Sequence, residues 1–132
     1  MKRRLFVSCF LAILCLVAAC ATTPPTTEEI SLMGYGEPLT IDYKTPIKKY
    51  FEDSLIDPFS AHIKIGEPQQ YSYRDSLIEG RKVHAGYAVP ARVNAKNRMG
   101  GYVGWKDYIF LFRNNQLAKI LTPEELMLMR SK

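Results

Sequence analysis

Val83-His84-Ala85-Gly86-Tyr87-Ala88-Val89-Pro90-Ala91-Arg92-Val93-Asn94-Ala95-Lys96 is the stretch that decides the fold. Every odd position from Val83 to Ala95 is apolar, while the even positions hold His84, Gly86, Ala88, Pro90, Arg92, Asn94 and Lys96. A period of two places one set of side chains on each face of a pleated strand. Pro90 has no N–H to give to a ladder, so the strand has an edge or a bulge at that residue.

Working outward, Ala61, Ile63 and Ile65 alternate with His62 and Lys64, and Gln69–Arg74 continues the pattern through Tyr71 and Tyr73. Glu79-Gly80 reads as a turn. Tyr108–Arg113 is a second strong strand, Asn114-Asn115 a reverse turn, and Gln116–Leu121 the returning partner. Upstream, Thr45-Pro46 predicts a helix start with threonine as cap and proline at the first helical position. Ile47, Tyr50, Phe51, Ser54 and Leu55 then share one helical face, opposite Lys48, Lys49, Glu52 and Asp53, until Asp57-Pro58 ends the helix. Thr122-Pro123-Glu124-Glu125 opens a short C-terminal helix with a capping box. The expected class is α+β: one N-terminal amphipathic helix packed on a roughly four-stranded antiparallel sheet, with a short C-terminal helix. A two-sheet sandwich needs more strands than this chain supplies.

The N-terminus has a different character. Lys2, Arg3 and Arg4 precede the apolar run Leu5–Leu16, which is far shorter than the ~20 residues that span a bilayer. Val17-Ala18-Ala19-Cys20 follows, and Ala21–Thr27 breaks the hydrophobicity at once. The tetrad resembles the lipobox of bacterial lipoproteins. That resemblance implies cleavage before Cys20, a diacylglycerol thioether on its sulfur and a fatty acid such as palmitate on its new amino group. Ala21 in place of an aspartate after the cysteine implies outer-membrane sorting, with the body facing the periplasm. The expected division is a cleaved signal peptide over 1–19, a Thr/Pro-rich lipid-anchored tether over 20–39 and one small domain over 40–132. Thr22-Thr23-Pro24-Pro25-Thr26-Thr27 favours extended, solvated backbone, although Ile30, Leu32 and Met33 leave docking on the domain open.

Cleavage changes the bulk quantities. Removing 19 of 132 residues leaves 113, and loss of Lys2, Arg3 and Arg4 takes the formal charge from +5 to +2. All three cysteines lie at or before position 20, so stability after cleavage depends on a packed core and not on disulfides. Between Arg81 and Lys119 eight bases face only Asp107. Such a basic region suits an anionic partner: lipid phosphate, wall-peptide carboxylate or an acidic protein.

Catalytic patterns are absent from the sequence. His62 and His84 are the only histidines, and neither belongs to an HExxH-like spacing, so no metal site is expected and both read as surface residues. No GxSxG elbow surrounds Ser54, Ser60 or Ser72. Glu52, Asp53 and Asp57 read as solvating acids on or after the first helix. Gly100-Gly101-Tyr102-Val103-Gly104-Trp105-Lys106 lacks the GxxxxGK[ST] spacing of a phosphate loop and leads into a strand. No cofactor is expected. With a charge of only +2 after cleavage and no reader motif, nucleic acid is excluded as a partner class.

Two segments stand out: Asp57-Pro58-Phe59-Ser60-Ala61 and Asn94-Ala95-Lys96-Asn97-Arg98-Met99-Gly100-Gly101-Tyr102-Val103-Gly104. Together they resemble a group of small bacterial exported proteins and lipoproteins that carry a DPxSA element and an NAKNxxGGYxG loop. The resemblance covers roughly residues 45 to 120 and implies a shared domain without a known activity. The loop has two readings. In one, the glycines turn the chain, Asn94 and Asn97 bond local backbone, and Tyr102, Trp105 and Tyr108 pack over the sheet. In the other, Tyr102 and Trp105 form an exposed platform flanked by Lys96, Arg98 and Lys106. The function expected is that of a non-enzymatic, lipid-anchored binding or scaffold module, whose partner is an envelope protein, peptidoglycan or anionic lipid. Alternatives are an accessory lipoprotein of a secretion, conjugation or outer-membrane assembly machine, and an enzyme or inhibitor acting on envelope polymers.

Overall fold

The protein is described here by a computed structural model covering residues 23–130. The signal peptide assigned to 1–19 and the lipid-attachment residue Cys20 lie outside the described residues. Among the described residues three helices and five strands occur in the order α1 (Thr27–Met33), α2 (Lys44–Ser54), a 3-10 turn (Pro58–Ser60), β1 (His62–Ile65), β2 (Gln69–Arg74), β3 (Val83–Asn94), β4 (Lys106–Arg113), β5 (Gln116–Leu121) and α3 (Pro123–Arg130). The class is α+β, and the sheet is antiparallel throughout. It has five strands, one more than the sequence reading gave.

β3 is the spine. β4 runs along one side of it, with β5 outside β4. On its other side two short strands share the edge: β1 pairs with Ala91–Asn94 and β2 pairs with Val83–Ala88. Pro90 falls at the seam between them. Its carbonyl accepts from Gly66 N at 2.8 Å, so its nitrogen faces the same gap, where no ladder bond is required of it. The expected edge or bulge at Pro90 is corrected: β3 is an inner strand with unbroken register against β4, and the proline is accommodated where its other partner changes from β2 to β1.

The odd face of β3 holds the main core. Val89, Ala91, Val93 and Ala95 pack with Phe110, Phe112, Ile47 and Phe51. Phe51 meets Phe110 and Tyr108 edge-to-face at 5.7 and 5.1 Å between ring centroids, the arrangement that aromatic quadrupoles favour. The helix over this face starts as a different cap dictates. Asp42 Oδ1 accepts from Lys44 N at 2.9 Å and Thr45 N at 3.3 Å, so Asp42, and not Thr45, satisfies the first amides.

The even face is not bare. Near the start of β3, Ala88, Leu111, Leu121, Tyr73 and Leu126 form a second core beneath α3. Gly86 is part of the reason β3 and β4 approach closely there: a Cβ on it would run into the Phe112 carbonyl oxygen. Gly86→Ala is therefore expected to destabilise the domain by about 1–3 kcal/mol through overpacking. An unchanged urea midpoint would show that the β3–β4 ladder accommodates the methyl.

The extended-backbone reading of residues 20–39 is corrected over Thr27–Met33. Thr26 and Glu29 form a full capping box, with Glu29 N bonded to Thr26 Oγ1 at 3.2 Å and Thr26 N to Glu29 Oε2 at 2.8 Å. The segment is also docked. Arg74 Nη2 meets Glu29 Oε2 at 2.6 Å, and Arg113 donates to the Met33 and Gly34 carbonyls at 2.8 and 2.9 Å. The hydrogen bond from Arg74 holds the Glu29 carboxyl down at about 2. Next to Arg113, Asn114 and Asn115 both take positive φ (49° and 58°), as a two-residue hairpin turn that follows strand twist requires. Their side chains accept from Glu37 N and Thr40 N.

Candidate functional site

The glycine-rich connection between β3 and β4 is built by two asparagines. Asn97 Oδ1 accepts from Met99 N at 2.9 Å and Gly101 N at 3.1 Å, while Asn94 Oδ1 accepts from Gly104 N at 3.1 Å. Backbone bonds from Asn97 N to Gly101 O and from Val103 N to Ala95 O close it into a compact turn. Gly100 and Gly104 have φ of +79° and +92°, values that side chains rarely tolerate. This is the local-backbone role expected for Asn94 and Asn97.

One side chain then joins the two sequence motifs. Tyr102 Oη donates to the Ser60 carbonyl at 3.0 Å and lies 3.1 Å from His62 Nε2. Ser60 sits in a turn of its own, capped where Asp57 Oδ1 accepts from Ser60 N at 3.3 Å. The DPFSA turn and the Gly/aromatic loop, some forty residues apart, thus form one end of the domain. That end carries large exposed apolar groups: Phe59 is 100% and Met99 94% exposed, with Ile56 and Val103 beside them in sequence or loop.

The predicted platform residues do not all share a face. Trp105 lies on the even face, with Lys64 Nζ 4.8 Å and Arg92 Cζ 5.6 Å from its ring centroid. Lys96 Nζ stands 5.4 Å over the Tyr102 ring. Exposed cation–π contacts of this kind contribute about 0.5–1 kcal/mol each. Asp107 partly balances the charge through a 2.8 Å bond to Arg92 Nε. Lys106, by contrast, pairs with Val93 in the ladder, and directly opposed residues share a face, so its side chain projects from the odd face. There it lines a groove of about 280 Å³ with Leu55, Ile56, Ala95, Val103 and Tyr108. Arg98 is exposed at the tip of the turn. Lys64 and Arg92 were missed as platform residues because only the β1–β3 register, Lys64 opposite Arg92, brings them together under Trp105. Trp105 and Tyr102 are 39% and 47% exposed, so neither is absorbed into a core.

A second polar cluster lies at the opposite end. Asp75, only 6% exposed, bonds His84 Nε2 at 2.7 Å and Lys119 Nζ at 3.3 Å. His84 stacks on Tyr73 at 4.9 Å and 12°, so the reading of His84 as a plain surface residue is corrected. Burial pushes the Asp75 pKa up, yet the bonds and charges of His84 and Lys119 outweigh it and hold the carboxyl below the ordinary aspartate value. Burial also raises the Tyr73 hydroxyl to about 12. Among the described residues no Ser or Thr hydroxyl is bonded to His84, so this pair lacks the third member of a hydrolase triad. Nor does any group of three or more His, Cys, Asp or Glu among them form a metal-binding set. Among the described residues no helix is long and apolar enough to cross a membrane.

Comparison with protein families, curated proteins and solved structures yields no match to this chain.

Proposed function

We propose that the mature chain is a lipid-anchored envelope protein, acylated at Cys20 on the periplasmic side of the outer membrane, that docks another envelope protein without catalysing a reaction. The observation carrying this reading is the pair Phe59 and Met99, almost wholly exposed on turns that hydrogen bonds make rigid. Phe, Met, Tyr, Trp and Arg are the residues enriched where proteins meet, and preordered turns lose little entropy on binding. Tyr102, bonded to the Ser60 carbonyl next to Phe59, and Trp105, with Arg92 5.6 Å from its ring centroid, add the same chemistry to this end of the domain. The groove beside Lys106, at about 280 Å³, falls just below the ~300–1,000 Å³ of small-molecule sites and suits one or two side chains of a partner. On this reading the DPxSA and NAKNxxGGYxG elements are the two halves of one docking surface.

A photo-crosslinking residue placed at Phe59 or at Met99 tests it in cells. Both positions are expected to give the same discrete protein adduct, weakened by Arg92→Glu, while Lys49 on the outer side of α2 gives none. Adducts with wall fragments or lipid at Phe59 and Met99 would reassign the partner class. No position-dependent adduct at all would end the docking proposal.

A further inference from the structure

The described chain begins at the other end of the sheet. The Thr23 carbonyl accepts from Arg74 Nε at 3.1 Å, where β2 runs into the β2–β3 turn. Cys20 precedes Thr23 by three residues, no more than about 11 Å of chain. The turn beside it projects Leu77 and Ile78, which are 55% and 98% exposed. Turn tips ordinarily carry Gly, Asn, Asp or Ser. This one is locked, because Ser76 Oγ bonds Glu79 Oε2 at 2.7 Å and Glu79 N bonds Ser76 O at 3.1 Å. The isoleucine is thus held outward by its own backbone. Met129 of α3 lies across a shallow groove from it and is 37% exposed.

We propose that this end rests on the anchoring bilayer, with Leu77 and Ile78 inserted among the acyl chains as a second contact beside Cys20. The inference rests on the lipid-anchor reading above. The contact proposed is apolar and not electrostatic: the two cations that flank the turn in space, Arg74 and Lys119, are already held by acids of the domain, while Lys82 at its foot is exposed. Arg74 holds Glu29, and Lys119 holds Asp75 with Glu79 and Glu125 at 3.9 Å. Insertion of Leu77 and Ile78 itself requires no anionic lipid. Once the chain is tethered, this second contact is intramolecular and needs only a small apolar area. β3 sets the resulting geometry. Lys64 and Trp105 stand at Arg92, nine residues beyond the Val83–Arg74 pair, or about 30 Å along the strand. The docking end consequently points away from the lipid that holds the protein.

The chain's single tryptophan makes the test direct. The acylated protein, purified from membranes, is reconstituted into phosphatidylethanolamine vesicles with brominated acyl chains, which quench nearby indole emission. Wild-type Trp105 is expected to keep its emission. Trp105→Phe combined with Ile78→Trp is expected to lose most of it, equally at low and high salt. Quenching of Trp105 and not of a tryptophan at position 78 would invert the orientation and overturn the inference. Loss of quenching at position 78 in high salt would replace insertion by a surface electrostatic contact. Protein that floats with the vesicles while neither tryptophan is quenched would overturn the contact and leave the anchor standing. Protein that fails to float would overturn the anchor and this orientation together.

Discussion

Phe51→Ala is expected to lower domain stability by about 3–5 kcal/mol, the usual cost of emptying a fully buried aromatic site. Phe51 is 0% exposed, and its ring meets Tyr50, Tyr108 and Phe110 at centroid distances of 5.4, 5.1 and 5.7 Å. Two of those neighbours belong to β4, so the ring is the principal joint between α2 and the sheet. Collapse cannot refill the space, because β3 and β4 are fixed by a continuous ladder from Tyr87–Phe112 to Val93–Lys106. A domain of this size has about 5–15 kcal/mol in all, so the loss is a large share of it. Tm should fall by more than about 12 °C in calorimetry. A fall of only a degree or two would mean that α2 contributes little to the fold.

Removing the Asp75 carboxylate is the second large change. Asp75→Ala leaves His84 and Lys119 facing a partly buried site without their shared acceptor. Breaking a buried pair by deleting one partner costs about 3–5 kcal/mol. Here His84 and Lys119 are 29% and 26% exposed, water satisfies part of the demand, and about 2–4 kcal/mol is expected. Asp75→Asn keeps the shape and loses the charge, so it should cost less. The pH dependence follows from the lowered carboxyl. Its contribution is fully present above the ordinary aspartate value near 3.8 and disappears as pH falls through the lower folded value. Urea midpoints taken from pH 7 to pH 2 should therefore drop more steeply below pH 4 in the wild type than in Asp75→Asn. Parallel curves would show that Asp75 is no better stabilised folded than unfolded.

The reading from sequence succeeded where a single period or a local motif carries the information. Val89, Ala91 and Val93 alternate and are buried, Ile47 and Phe51 share a helical face, and Thr122 with Glu125 forms the capping box at α3. It failed where the information lies in register. Nothing local to Asp75 announces His84 as its partner; the hairpin closing Arg74 onto Val83 brings them together. The same holds for Lys64 and Arg92 beneath Trp105. The second core, which takes Ala88 from the even face, was not legible, because alternation alone points to one buried face. α1 carried a legible signal, Thr26 followed three residues later by Glu29. The Thr/Pro-rich run 22–27 that overlaps it favours extended backbone and masks that signal. In the candidate site the aromatic and asparagine residues were visible as a motif, whereas their attachment to the Ser60 turn through Tyr102 depended on tertiary structure.

The clasp between the N-terminal segment and the β4–β5 turn has a mechanical consequence. Arg113 grips the Met33 and Gly34 carbonyls, and the Asn114 and Asn115 amides hold Glu37 N and Thr40 N. These grips stand in the chain ahead of α2, the first element of the main core. A tug arriving from residue 23 is therefore spread over that strap and passed into β4, whose long ladders resist sliding, before any load can peel α2 from the sheet. The strap acts as strain relief, like the collar where a cable enters its housing.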